Sequence, residues 1–339
     1  MKRHRLRLMM LVLGAIVLGG SGGLRVARAE GTFVAKFGTA TLNDAQHIYL
    51  KNFAAALEKD SAGRIKVEIY PASQLGSIPR MIEQTQFGSA QLWIGPPEFL
   101  AGVDERFELL AAPGVFRDMA EADRVLQDPE FSRAFLGVGE RKGLVGVGLF
   151  LSAPNGFAMR SRIASVAQFA GLKIRVLASP MQTEQIRALQ ATAVPMSLGE
   201  VLPALQQGAL DGVLSAPPVI TALKYMSAAK YLVYTQQAMT TSIAVMSRKW
   251  LQSLPEDLRR IVLEDGRREA AAMYPTVVRL VDECFATWRE GGGEVIELAP
   301  EEKARLAQLM APVPARVVAQ RPEEKPLYDL LLAAARRSP

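Results

Sequence analysis

Cysteine and histidine are almost absent from these 339 residues, with one Cys, Cys284, and two His. A single thiol excludes an intramolecular disulfide and a thiolate metal cluster. Its neighbours Val281, Phe285 and Trp288 make Cys284 read as a small packing residue. His4 falls in the leader described below, which leaves only His47 and excludes a multi-histidine metal site. One His is still enough for a Ser-His-Asp triad, but His47 is expected near the start of the first helix, facing solvent or a cleft. No GxSxG, HExxH, P-loop or GxGxxG pattern occurs. Carboxylates are plentiful, yet most stand in patterns such as ALEKD, PEDLRR and PEEKARL, which read as solvated helix faces. This inventory offers little to an enzyme, and no cofactor or metal is expected.

Long apolar runs are equally scarce. LMMLVLGAIVLGG (8–20) lies behind the basic MKRHRLR and ahead of Ala27-Arg28-Ala29, the order of a secretory signal peptide. The run is shorter than the roughly 20 residues a membrane span takes. Cleavage after Ala29 and export to the periplasm are expected. Residues 1–29 hold six of the 40 basic residues and none of the 34 acidic ones, so the remainder carries 34 of each sign. The pI near 9.5 comes from the leader and does not point to a nucleic-acid partner.

The roughly 310 residues that follow exceed one ordinary core, and strand and helix patterns alternate along them. Strands are read at 32–40, 64–73, 90–95 and 143–150, the last so continuously apolar that it is expected in the middle of a sheet. Helices are read at 43–60, 79–88 and 118–141. In the middle third FAMRS, LKIRVL, ALDGVLS and KYLVYT are strands, and Ser197-x-x-Glu200 opens a helix with a capping box. SIAVMS (242–247) precedes a long helix from Pro255 to about Glu290, with a bend expected at Pro275. The fold class expected is α/β, two-lobed like periplasmic binding proteins, with a hinge and a long bracing helix. Residues 30–153 with 238–278 would form one lobe, and 154–237 with 279–339 the other.

One charge is out of place. In AGLKIRVLASP (170–180), Arg175 interrupts an apolar strand, and no acidic residue lies near it in sequence. A buried guanidinium without a partner is costly. Either a carboxylate from elsewhere in the chain meets it, or an anionic ligand does; a planar carboxylate fits the guanidinium fork.

YPASQLGS (70–77), GLKIRV (171–176), VPMSLGEVLPALQQGALDG (194–212) and AAKYLVYTQQ (228–237) stand in the order and spacing of one family. The chain resembles the solute receptors of tripartite ATP-independent periplasmic (TRAP) transporters, in the dicarboxylate-receptor-like branch. The resemblance covers nearly all of the chain after the leader. It implies two lobes that close on an organic acid and deliver it to an integral membrane permease. It also implies that the arginine of the GLK-[IL]-R motif, here Arg175, grips the ligand carboxylate.

There are departures. After Asp211-Gly212 the family usually has Gln-Glu-Asn-Pro, where this chain has Val213-Leu214-Ser215-Ala216-Pro217. A family Thr-Asn-His becomes Thr235-Gln236-Gln237. Both changes lean toward a ligand with one carboxylate and a more apolar remainder. Besides Arg175, the candidate ligand contacts are Asn155, Ser215, Arg80, Thr39, Pro97, Glu98 and Gln237. Arg160 and Arg162 are possible second cations, and Trp93 is expected in the core. Alternative readings are a sensor that presents bound solute to a signalling partner and a receptor for an ATP-driven importer.

Overall fold

The computed structural model describes residues 31–338; the expected signal peptide lies outside them. The chain enters a first sheet with β1 (Phe33–Thr39), β2 (Ile65–Tyr70), β3 (Leu92–Gly95) and β4 (Leu144–Pro154). It then crosses to a second sheet and lays down β5 (Gly156–Met159), β6 (Lys173–Val176), β7 (Thr192–Pro195), β8 (Gly212–Ser215) and β9 (Tyr231–Tyr234). It returns with β10 (Met239–Ser247) and completes the second sheet with β11 (Glu294–Glu297). The sheet orders are β2-β1-β3-β10-β4 and β11-β9-β5-β8-β6-β7. The two-lobed α/β architecture read from the sequence is the one observed.

Period-2 alternation organises the second sheet. Phe157, Met159, Leu214 and Val233 join one core, while Ala158, Val213 and Leu232 join another. Successive side chains of a strand point to opposite faces, so each strand contributes to both cores. Ile174 and Val176 belong to the first of these, which sends Arg175, between them, to the opposite face.

Several elements differ from the sequence expectation. The apolar strand β4 is not central but stands at the end of the first sheet. Its burial comes from the helices Met119–Leu126, Pro129–Leu136 and Glu256–Ala271 packed against it, which protect an edge that would otherwise template association. The expected helix over 118–141 breaks where Asp128 accepts from the backbone N–H groups of Glu130 and Phe131 and caps a new helix at Pro129. The long helix is two, Glu256–Ala271 and Tyr274–Glu290. Pro275 sits in the first turn of the second, where its missing N–H costs no helix bond, and so starts a helix in place of bending one. That second helix touches β4 and β11 and so braces both sheets. The capping box at Ser197 and Glu200 is present, and β7 had no counterpart in the sequence reading. The last helix, Lys325–Arg337, buries Leu327, Leu331 and Ala334 in the core under the first sheet, although the sequence division assigned all of 279–339 to the second lobe.

The Glu256–Ala271 helix approaches β4 closely because Gly266 has no side chain. A Cβ there would lie 2.5 Å from the Val147 carbonyl oxygen. The Tyr49 hydroxyl donates to the Gly266 carbonyl at 3.0 Å. We expect Gly266→Ala to lower stability by about 2 kcal/mol, because overpacking against backbone outweighs the ~1 kcal/mol of helix propensity gained. A urea midpoint unchanged from the parent would show instead that helix and strand can separate without cost.

Candidate functional site

The carboxyl ends of strands from both sheets converge on one narrow cavity of about 30 Å³. Ala40 and Thr41 follow β1, Pro96 follows β3, Arg175 and Leu177 lie at the end of β6, and Ser215 and Ala216 close β8. Ligands in α/β sheets sit in such crevices beyond the strand carboxyl ends.

Arg175 is 0 % exposed. Its Nε donates to the Met196 carbonyl at 3.0 Å, while Nη1 and Nη2 have no hydrogen-bond partner. Among the described residues no carboxylate forms an ion pair with it; its guanidinium lies 6.0 Å from the centre of the Phe99 ring. Burial pushes its pKa down to about 10, which still leaves it cationic at neutral pH. The choice left open by the sequence, a protein carboxylate or an external anion, is therefore narrowed. None of the described residues supplies a counter-ion, and the two free donors belong to a side chain that lines the cavity.

The other sequence candidates scatter. Ser215 lines the cavity. Thr39 is buried one layer beneath it, bonding Gln46 Oε1 at 3.1 Å and sharing a hydrogen bond with Thr41 at 3.2 Å. Arg80 is exposed on the Ile78–Phe87 helix, away from the lining. Arg162 pairs with Glu294 at 3.0 Å on the surface, and Arg160 is exposed against Gly208. Gln237 lies on a different, larger cavity beside Pro113 and Tyr328; its Oε1 accepts from Thr235. His47 is buried, not facing solvent, and its Nδ1 accepts from the Asn43 backbone at 3.1 Å.

Asn155 occupies the crossing between the sheets. Its backbone N–H donates to the Ala238 carbonyl at 2.9 Å and its carbonyl accepts from Gln236 at 3.0 Å. Its side-chain oxygen accepts from Thr240. Two of the segments that pass from sheet to sheet are thus tied at one residue, which is not part of the cavity wall.

Pro97 and Glu98 begin the short 3-10 turn Pro97–Leu100, where Pro96 and Phe99, not they, line the cavity. Glu98 is buried with both oxygens unpartnered, and burial, reinforced by Glu108, raises its pKa to about 8. Glu108 itself accepts from Ser179 Oγ at 2.9 Å and the Met181 N–H at 3.0 Å, and from Arg321 at 2.5 Å. It thereby joins the Glu105–Ala111 turn, which packs on β10, to the start of the Pro180–Ala188 helix of the second sheet. Sequence reasoning missed this link, as it missed Phe99, Gln46 and the cavity face of Trp93. All of them read locally as core or as solvated helix.

A two-lobed molecule with an interior, singly cationic cavity where the strand ends meet is built as a solute-binding protein. The model of the bacterial extracellular solute-binding proteins, family 7, matches residues 37–321, and the chain belongs to that family. It is 27% identical over 272 residues to the C4-dicarboxylate-binding periplasmic protein DctP of Rhodobacter capsulatus, covering 77% of this chain and 79% of that one. Among solved structures it resembles a TRAP periplasmic solute binding protein from Desulfovibrio salexigens with bound orotic acid, with a TM-score of 0.83 at 24% identity, covering 90% of this chain and 100% of that one. It also resembles the sugar acid binding protein DctPAm from Advenella mimigardefordensis in complex with galactonate, with a TM-score of 0.85 at 22% identity, covering 91% and 99%.

The buried carboxyls set a pH dependence. Glu98 at about 8 and Glu324 at about 7 hold protons that the unfolded chain releases near 4.5. Each contributes stability that is present at low pH and lost as pH rises through its folded value. Glu98→Gln is expected to flatten the fall in stability between pH 5 and 8 by up to about 1.4 kcal/mol per pH unit, the slope for one proton. Urea midpoints at pH 5, 6.5 and 8 check this; parallel curves for parent and variant would refute it.

Proposed function

We propose that this chain is a periplasmic receptor that closes two lobes over an organic anion, clamps its carboxylate with Arg175 and hands it to a TRAP-type membrane permease. Its lobes would be built on the two sheets, with Asn155 at the pivot, and the role is binding and delivery without turnover. The observation that carries the reading is Arg175 itself: a fully buried guanidinium that has no carboxylate partner and keeps both terminal nitrogens free. A ligand carboxylate would accept from Nη1 and Nη2 together, the bidentate geometry that gives charge-assisted bonds their strength and direction. Burial strengthens that pairing by lowering the local dielectric. The relatives lend support, since each of the three is described with an organic acid.

The test combines ligand screening with substitution. A thermal-shift screen of organic acids is expected to find one that stabilises the protein by about 2.7 kcal/mol at 100 times its Kd. Arg175→Ala should then weaken that acid at least 100-fold by calorimetry, since breaking a buried pair costs about 3–5 kcal/mol. Without ligand, Arg175→Met should melt no lower than the parent, because it removes a buried charge that the chain leaves unpaired. Unchanged affinity in Arg175→Ala would refute the clamp.

A further inference from the structure

The cavity wall carries more information than its one cation. Among the described residues, Arg175 is the only charged side chain in the lining. The polar groups beside it are mostly committed within the protein. The Thr41 hydroxyl donates to Asp44 at 2.8 Å, Gln46 Oε1 accepts from Thr39, and the Thr240 hydroxyl donates to Asn155. Much of the rest is apolar, including Ile78, Ile94, Leu177, Leu198 and Val219. Two further groups are free: the half-buried Ser215 hydroxyl and one fully buried donor. Trp93 lines the cavity and is 1 % exposed, and its indole Nε1 has no hydrogen-bond partner. The ring lies against Gly95, where a Cβ would come within 2.4 Å of Trp93 Cζ2. Buried donors are almost always satisfied, and an unpaired one calls for a partner. This one belongs to a ring that walls the same space as the two free nitrogens of Arg175.

We propose that the solute is a monocarboxylate whose apolar body carries one neutral hydrogen-bond acceptor, and that Trp93 is the residue that reads the acceptor. This rests on the carboxylate clamp at Arg175. A second ionised carboxylate would enter a wall that holds no second cation, and a polyhydroxylated chain would present more hydroxyls than the wall has free partners. Either would leave buried polar groups unpaired, the strongest source of discrimination available to a binding site. The apolar body takes its binding from the aliphatic wall.

A matched six-carbon series separates these terms: hexanoate, 2-oxohexanoate, 5-oxohexanoate and adipate, titrated by calorimetry into parent, Trp93→Phe and Arg175→Ala proteins. In the parent, at least one oxohexanoate should bind ten or more times tighter than both hexanoate and adipate. In Trp93→Phe that advantage over hexanoate should vanish. Because Trp93 is large and buried, its variant is backed by a second readout on the parent: the Trp93 indole N–H resonance should shift on adding the preferred oxo acid and not on adding hexanoate. Adipate binding tightest, an oxo advantage that survives Trp93→Phe, a stationary indole resonance, or no probe binding below 1 mM would each overturn the proposal. If adipate binds tightest and Arg175→Ala abolishes its binding, the clamp stands and only the substrate class falls. If a probe binds equally well to Arg175→Ala, the clamp itself falls.

Discussion

The molecule is organised around a positive charge that none of its described residues neutralises. Arg175 is carried into the interior by β6, whose alternation commits Ile174 and Val176 to one core and so forces the intervening side chain onto the face shared with Ala158, Val213 and Leu232. Desolvating a guanidinium costs several kcal/mol, and one backbone carbonyl recovers only part of that. A protein built solely for stability would place a Leu or Val here. Retaining the charge makes the apposition of the two sheets unfavourable by itself and favourable when an anion shares the cavity. Under the proposed clamp, that charge would couple occupancy to closure, because a ligand shifts a conformational equilibrium only by its differential affinity for the two states.

Other contacts across the sheets have to be weaker than that coupling, or closure would no longer depend on ligand. Two are visible. Asn155 ties two of the crossing segments through backbone bonds to Ala238 and Gln236. On the side of the Glu105–Ala111 turn, Glu108 caps the start of the Pro180–Ala188 helix, and the Gln185 side chain donates to the Ala111 carbonyl at 2.8 Å. A carboxylate at a helix N-terminus is favourable, but Glu108 is buried beside Glu324 and near Glu98, with Arg321 as the cation in direct contact. Burial raises the pKa of all three carboxyls. Crowding of acidic groups keeps this contact modest in strength, which suits a surface that must part to admit a solute.

The fold was largely legible because its signals are periodic and local: alternating strands, the Ser197 capping box, and glycines and prolines at turns. The errors trace to features that sequence does not encode locally. A continuously apolar strand can be buried by neighbouring strands or by helices, and β4 is of the second kind. A proline within a helical pattern can bend the helix or begin a new one, and the pattern around Pro275 is the same in both cases. At the site, Arg175 was legible because a charge in an apolar strand breaks the pattern and demands an explanation. Trp93 and Phe99 break no pattern, since an apolar residue facing a cavity has the same sequence signature as one facing a core. Gln237 and Arg80 were misplaced for the complementary reason: position along the chain locates a residue near a strand end but not the direction in which it points.

Charge and wall divide the work of recognition. A guanidinium donates to any carboxylate, so under the proposed clamp Arg175 would supply affinity and closure without choosing among acids. Choice has to come from groups that one acid satisfies and another leaves unpaired. In this chain those groups stand where Val213-Leu214-Ser215-Ala216-Pro217 replaces a more polar family segment, and around the indole of Trp93. Ser215 and Ala216 bring β8 to the cavity with one small hydroxyl and one methyl, which removes side-chain partners for a second polar group on the solute. The substitution thus acts by subtraction. It leaves the clamp intact and narrows what the rest of a bound acid can be.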